Sequence, residues 1–149
     1  MKILVCTDGS QESVKAVEEA SKIADGCQVD EVSIIHVYDK NFAGPYWSEF
    51  QNVTQEDLDR FNKEVEQSKE KAKNTLLEAE KIFQAKNIKV NTILKKGNPA
   101  ETIVEVATEE GFDMVVLGRR GLSGLKKVFL GSVSNAVLQE IDTTVLIVK

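Results

Sequence analysis

Apolar positions along this chain follow two rhythms that alternate from one end to the other. Short runs rich in Val and Ile occupy residues 2–6, 31–38, 88–94, 112–117 and 143–148, and longer stretches with apolar residues every three or four positions lie between them. That alternation predicts β/α units around a parallel sheet. Met114-Val115-Val116-Leu117 and Val145-Leu146-Ile147-Val148 are apolar at consecutive positions, which fits strands covered by helices on both faces. The expected fold is α/β, an open sheet of five strands between helical layers.

The helix boundaries follow from capping chemistry. A first helix is expected to start at Ser10, whose hydroxyl can accept from an orphan backbone N–H, and to end near residues 25–26. Val14, Val17, Ala20 and Ala24 are expected to face the sheet. A second helix is expected over about 54–85, with Leu58, Phe61, Val65, Ala72, Leu76, Ala79 and Phe83 on one stripe and charge on the other face. Packing on the sheet explains that stripe better than a coiled coil does, because the helix sits within a β/α alternation. Asn98-Pro99, with Glu101 three residues after Asn98, opens a third helix that closes at Gly111; a fourth is expected over 132–141. The irregular segment is 39–53, which holds Gly44, Pro45, Tyr46, Trp47 and two Phe. It reads as a lid, a partner-binding surface or a flap packed on its own domain.

Composition narrows the class. A chain of 149 residues is expected to form one domain with one sizeable core, and 29% charged with 42% apolar residues is ordinary for a globular protein. Nineteen Lys and Arg against 24 Asp and Glu leave a net charge of −5, so nucleic acid is not an expected partner. Cys6 and Cys27 have no paired spacing, which argues against a disulfide or zinc framework. Met1-Lys2 is followed by only four apolar residues before Thr7 and Asp8, and no run approaches membrane length. No membrane association is expected, and the expected compartment is the cytoplasm.

The most informative segment is Gly118-Arg119-Arg120-Gly121, followed after nine residues by Gly131-Ser132, between the fourth strand and the fourth helix. Glycines let backbone approach a ligand closely, and the first N–H groups of the following helix are unpaired and point outward. Such a helix start receives anions, and the Ser132 hydroxyl adds a donor. The spacing is neither G-x-x-x-x-G-K-[ST] nor G-x-G-x-x-G. Arg119, Arg120, Lys126 and Lys127 flank it, either neutralising phosphate or standing as solvated loop cations. His36 has no second histidine or paired cysteine nearby in sequence and reads as a core residue.

The pattern G-x-x-G, nine residues, G-[ST] is similar to the nucleotide-binding signature of the ATP-binding branch of the universal stress protein family. Residues 2–10, Ile35-His36-Val37, Gly97-Asn98-Pro99-Ala100 and 144–148 resemble further stations of that family; 39–53 has no counterpart. The resemblance implies a Rossmann-like sheet, adenine nucleotide alpha hydrolase-like, in the order 3-2-1-4-5. Strands one and four then end side by side, where ligands of such sheets bind. It further implies that Val37 holds adenine through its backbone, with Cys6, Thr7 and Asp8 beside it and Asp8 near the ribose. Gly118, Arg119, Arg120, Gly121, Leu122, Ser123 and Gly124 would wrap ribose and phosphates, and Gly131, Ser132, Val133 and Ser134 would take the terminal phosphates. ATP or another adenine nucleotide is the implied ligand, with Mg²⁺ or Mn²⁺ held by the phosphates.

Two functions from different classes fit that site. One is a nucleotide-responsive module of the stress response that changes which partner protein it meets. The other is a slow ATPase or phosphotransferase, which would need a group orienting a water or hydroxyl at the γ-phosphate. No base is assigned near the glycine loop, so binding is the expected role. A receiver domain would want an aspartate after strand three, where Lys95-Lys96-Gly97 stands. A flavin carrier would want hydroxyls after strand one, where Asp8 would repel phosphate. The last strand has no charge before Lys149, and a homodimer joining these edges is expected, as the resemblance also implies.

Overall fold

Among the residues that the computed structural model describes, 1–39, 54–122 and 130–149, five strands and four helices alternate. They are β1 (Lys2–Cys6), α1 (Gln11–Gly26), β2 (Glu31–Asp39), α2 (Gln55–Gln84), β3 (Asn91–Gly97), α3 (Pro99–Glu109), β4 (Met114–Gly118), α4 (Ser132–Glu140) and β5 (Thr144–Val148). The strands form one sheet in the order β3-β2-β1-β4-β5, parallel at each pairing. This is the expected Rossmann-like arrangement. Strand alternation divides the apolar residues between two cores. Ile3, Val5, Val32, Ile34 and Val116 gather with Val17, Leu76 and Phe83 of α1 and α2; Leu4, Cys6, Ile35, Val115 and Leu117 gather with Ile103, Val106 and Val137 of α3 and α4.

The starts of α1, α2 and α3 are each explained by a local acceptor. Ser10 Oγ accepts from Ser13 N at 3.2 Å, and Asn98 Oδ1 accepts from Ala100 N at 3.0 Å ahead of Pro99. Thr54 and Asp57 bond reciprocally at the start of α2. Gly131 caps α4 with no side-chain hydrogen bond, which leaves the orphan N–H groups of that turn open to a ligand.

Three expectations need correction. Val14 is 39% exposed and Ala24 half-buried; Ser13, Ala16, Val17, Ala20 and Ser21 form the buried face of α1. The Ser13 and Ser21 hydroxyls are satisfied by the Ser10 and Glu18 carbonyls, which lets both lie on the buried face. In α2, only Ala72, Leu76, Ala79 and Phe83 are buried, while Leu58 is exposed and Phe61 and Val65 are half-buried. A helix of 30 residues is about 45 Å long, whereas the nine residues of β2 span about 30 Å, so its first turns overhang the sheet. The third strand begins at Asn91, not at 88: Ile88 N closes on Phe83 O, and Ile88 and Val90 pack on the core from the turn. Lys95 and Lys96 are tolerated in β3 because it is an edge strand. The aromatic segment, residues 40–53, lies outside the described residues.

His36, expected in the core, is half-buried on β2, and its Nδ1 is enclosed without a partner. Burial pushes its pKa below the ordinary imidazole value, the Lys71 ammonium acts in the same direction, and Asp8 opposes them. The folded state therefore binds this proton less readily than the unfolded chain. His36 imposes no penalty above about pH 6.5, and stability falls as pH drops from there toward the lower folded pKa. His36→Gln is expected to flatten the loss of urea midpoint between about pH 7 and 5; an unchanged slope would show that His36 does not contribute to it.

Candidate functional site

Pairing of Val5 with Val116 brings the carboxyl ends of β1 and β4 side by side at the point where the winding reverses. A cavity of about 390 Å³ opens there, within the range of small-molecule sites. Ile35 and Val37 of β2, Leu117 of β4, and Pro99 and Ile103 of α3 are among its apolar lining residues, and Thr7, Asp8, Ser13, Arg120, Ser132 and Ser134 are among its polar ones. A ligand with an apolar body and an anionic tail suits such a mixed lining.

The polar lining is held together by bonds between segments far apart in sequence. Asp8 Oδ1 accepts from Ser10 N at 2.9 Å, and Asp8 Oδ2 accepts from Leu122 N at 3.2 Å, so one carboxylate spans the turn after β1 and the glycine loop. Ser134 Oγ donates to Gly118 O at 2.8 Å, which fastens the first turn of α4 to the end of β4. Gly131 N donates to Arg119 O at 2.9 Å. Two glycines are required by these approaches. A Cβ on Gly121 would sit 2.5 Å from Asp8 Oδ2, and one on Gly118 would sit 2.6 Å from the Glu12 carbonyl carbon and 2.8 Å from Ser13 N. The Cys6 thiol also lines the cavity, and burial pushes its pKa well above the usual thiol range. It is therefore a poor nucleophile.

Of the residues singled out in the sequence, Cys6, Thr7, Asp8, Val37, Gly118, Arg120, Gly121, Leu122, Gly131, Ser132, Val133 and Ser134 line this one cavity. Arg119 does not: its guanidinium turns to Glu12, with Nη2 3.3 Å from Oε1. Ser123, Gly124, Lys126 and Lys127 lie outside the described residues. Sequence reasoning missed Ser13, Ile35, Pro99, Ile103 and Leu117. Pro99 had a visible signal, the Asn-Pro helix start, but only the strand order shows that this start faces the β1–β4 crevice. Among the described residues no group of three or more His, Cys, Asp or Glu side chains gathers to hold a metal, and no helix is long and apolar enough to cross a membrane.

The model of the universal stress protein family matches residues 1–149. Universal stress protein YxiE of Bacillus subtilis is 36% identical over 154 aligned positions, which cover 99% of this chain and 98% of that one. Universal stress protein MJ0577 of Methanocaldococcus jannaschii is 32% identical over 163 positions, covering 99% and 94%. A solved structure of MJ0577 superposes with a TM-score of 0.76 at 30% identity, covering 99% of this chain and 94% of that one. A universal stress protein solved in complex with cAMP superposes with a TM-score of 0.67 at 27% identity, covering 100% and 96%.

The approach of β4 to the main chain of α1 is measurable through stability alone. Gly118→Ala pushes a methyl into main-chain atoms of α1 that cannot swing aside, and is expected to cost about 1–3 kcal/mol by urea unfolding. A neutral substitution would show that β4 and α1 are not held this close.

Proposed function

The chain belongs to the universal stress protein family, and from there we propose that it binds ATP, or another adenine nucleotide, as a nucleotide-responsive module of the stress response. The 149 residues act as one universal stress protein domain. The observation that carries this reading is the convergence of the Asp8 turn, the glycine loop and the uncapped start of α4 on one cavity lined in part by apolar residues. Adenine would lie among the apolar lining residues against the Val37 backbone, with the ribose near Asp8. The phosphates would meet the loop from Gly118 onward, the N–H groups of Ser132 to Ser134 and the Ser132 hydroxyl. Arg120 lines the same space and brings positive charge to it. The cAMP complex of a structural neighbour supports an adenine nucleotide as the ligand class. A divalent ion, Mg²⁺ or Mn²⁺, would be held by phosphate and water oxygens.

Asp8 favours binding over turnover. Both of its carboxylate oxygens already accept backbone N–H groups, and it sits at the β1 end of the cavity, where the ribose is placed. The module would act by presenting a nucleotide-dependent surface to a partner protein. We assign it to the cytoplasm, in keeping with two unpaired cysteines. We also propose a homodimer through β5, an edge strand whose Val145 to Val148 are half-buried, whereas the opposite edge, β3, carries Lys95 and Lys96.

Denaturing the purified protein without added nucleotide is expected to release an adenine nucleotide identifiable by chromatography. Gly131→Val, which places a branched side chain between α4 and the Arg120 backbone, is expected to fold and release none. If the wild type carries no nucleotide and does not bind ATP with Mg²⁺ at millimolar levels, the glycine loop is structural. Light scattering at micromolar concentration is expected to give the mass of two chains; a mass of one would remove the β5 dimer.

A further inference from the structure

Arg119 is a junction of the main chain. Its N–H donates to Val148 O of β5 at 2.7 Å, and its carbonyl accepts from Gly131 N, the residue that opens α4, at 2.9 Å. Its side chain adds a third tie, the ion pair with Glu12 in the first turn of α1, whose two side chains are 25% and 23% exposed. Neither Glu12 nor Arg119 lines the cavity. The pairing is poorly satisfied, because Glu12 Oε2 and Arg119 Nε are buried without partners. Such a pair is a weak source of stability. What it does constrain is where residue 119 sits, and through the Arg119 carbonyl, where the uncapped start of α4 sits.

We propose that Glu12 and Arg119 form a positioning pair that sets the phosphate-receiving part of the site, with Glu12 acting through Arg119 and the Arg119 side chain never touching the phosphates. The proposal rests on the nucleotide reading above and gives Arg119 the opposite of the role its place beside the glycine loop suggests. The two roles differ in sign. If Arg119 met phosphate directly, Glu12 would compete for it, and removing the Glu12 charge would leave ATP binding unchanged or tighter. If the pair positions the loop, removing that charge releases residue 119 and weakens ATP. Adenosine, which lacks phosphates, would then be little affected.

The test compares ATP with Mg²⁺ and adenosine by titration calorimetry on the wild type, Glu12→Gln, Arg119→Gln and the double variant. Each single variant is expected to weaken ATP about tenfold and adenosine by less than about twofold, and the double variant to be no weaker than either single one. Arg119→Lys, which keeps the charge, is expected to recover most of the loss. ATP affinity that is unchanged or tighter in Glu12→Gln overturns the proposal, as do additive losses in the double variant. Hydrogen exchange on the nucleotide-free protein supplies an arm independent of ligand. Glu12→Gln is expected to speed exchange of the Gly131 amide about tenfold while the Val116 amide in β4 keeps its protection. Equal loss at both amides makes the pair a general stabiliser and overturns the proposal, as does no change at Gly131. A wild type that binds no ATP would refute the nucleotide reading, and the exchange arm would still decide whether the pair positions α4.

Discussion

The carboxyl end of the sheet depends on how closely the last residue of β4 can approach the first turn of α1. Gly118 meets the Glu12 and Ser13 main chain at a distance that leaves no room for a Cβ. That contact lowers α1 onto the sheet and brings Ser10, Glu12 and Ser13 level with the glycine loop. Several polar links then become possible across more than a hundred residues of sequence. Asp8 reaches Leu122 N, Ser10 Oγ lies 3.5 Å from Arg120 O, and Glu12 meets Arg119. A larger residue at 118 would press on the first turn of α1 and disturb the Ser10 and Glu12 links together. Small residues here are thus a geometric requirement of packing as well as of any ligand.

The two faces of the sheet do different work at that end. On the face of α1 and α2, side chains hold the backbone of the loop in place. On the face of α3 and α4, the backbone itself is offered to the cavity, with the uncapped turn at Gly131 and the hydroxyl of Ser132 in a lining that is partly apolar. An anion is stabilised by unpaired N–H groups at a helix start whether or not a cation stands near. The proposed phosphate site would therefore not need both of its neighbouring arginines, one of which is turned to a carboxylate in α1. It also explains why Ser134, whose hydroxyl is spent on the Gly118 carbonyl, contributes to the shape of the site through that bond.

Much of this was legible in the chain alone. Runs of Val and Ile, the Ser10, Asn98 and Pro99 helix starts, and the glycine spacing from 118 to 131 are local signals, because a strand's period, a cap and a backbone clearance each depend on residues a few positions apart. They determined the elements, the fold class and the segment that carries the site; the strand order came from the resemblance to the universal stress protein family. What only the tertiary structure decided depends on neighbours remote in sequence. Ser13, not Val14, faces inward on α1, on the turn whose main chain lies against Gly118. Ile88 and Val90 pack from a turn because the Phe83 carbonyl captures the Ile88 amide. Pro99 and Ile103 join the cavity because the sheet places β1 between β2 and β4. Arg119 turns away from the cavity because a carboxylate on α1 lies within reach. Local chemistry writes the elements into the sequence, but the direction of a side chain is fixed by what the folded chain leaves beside it.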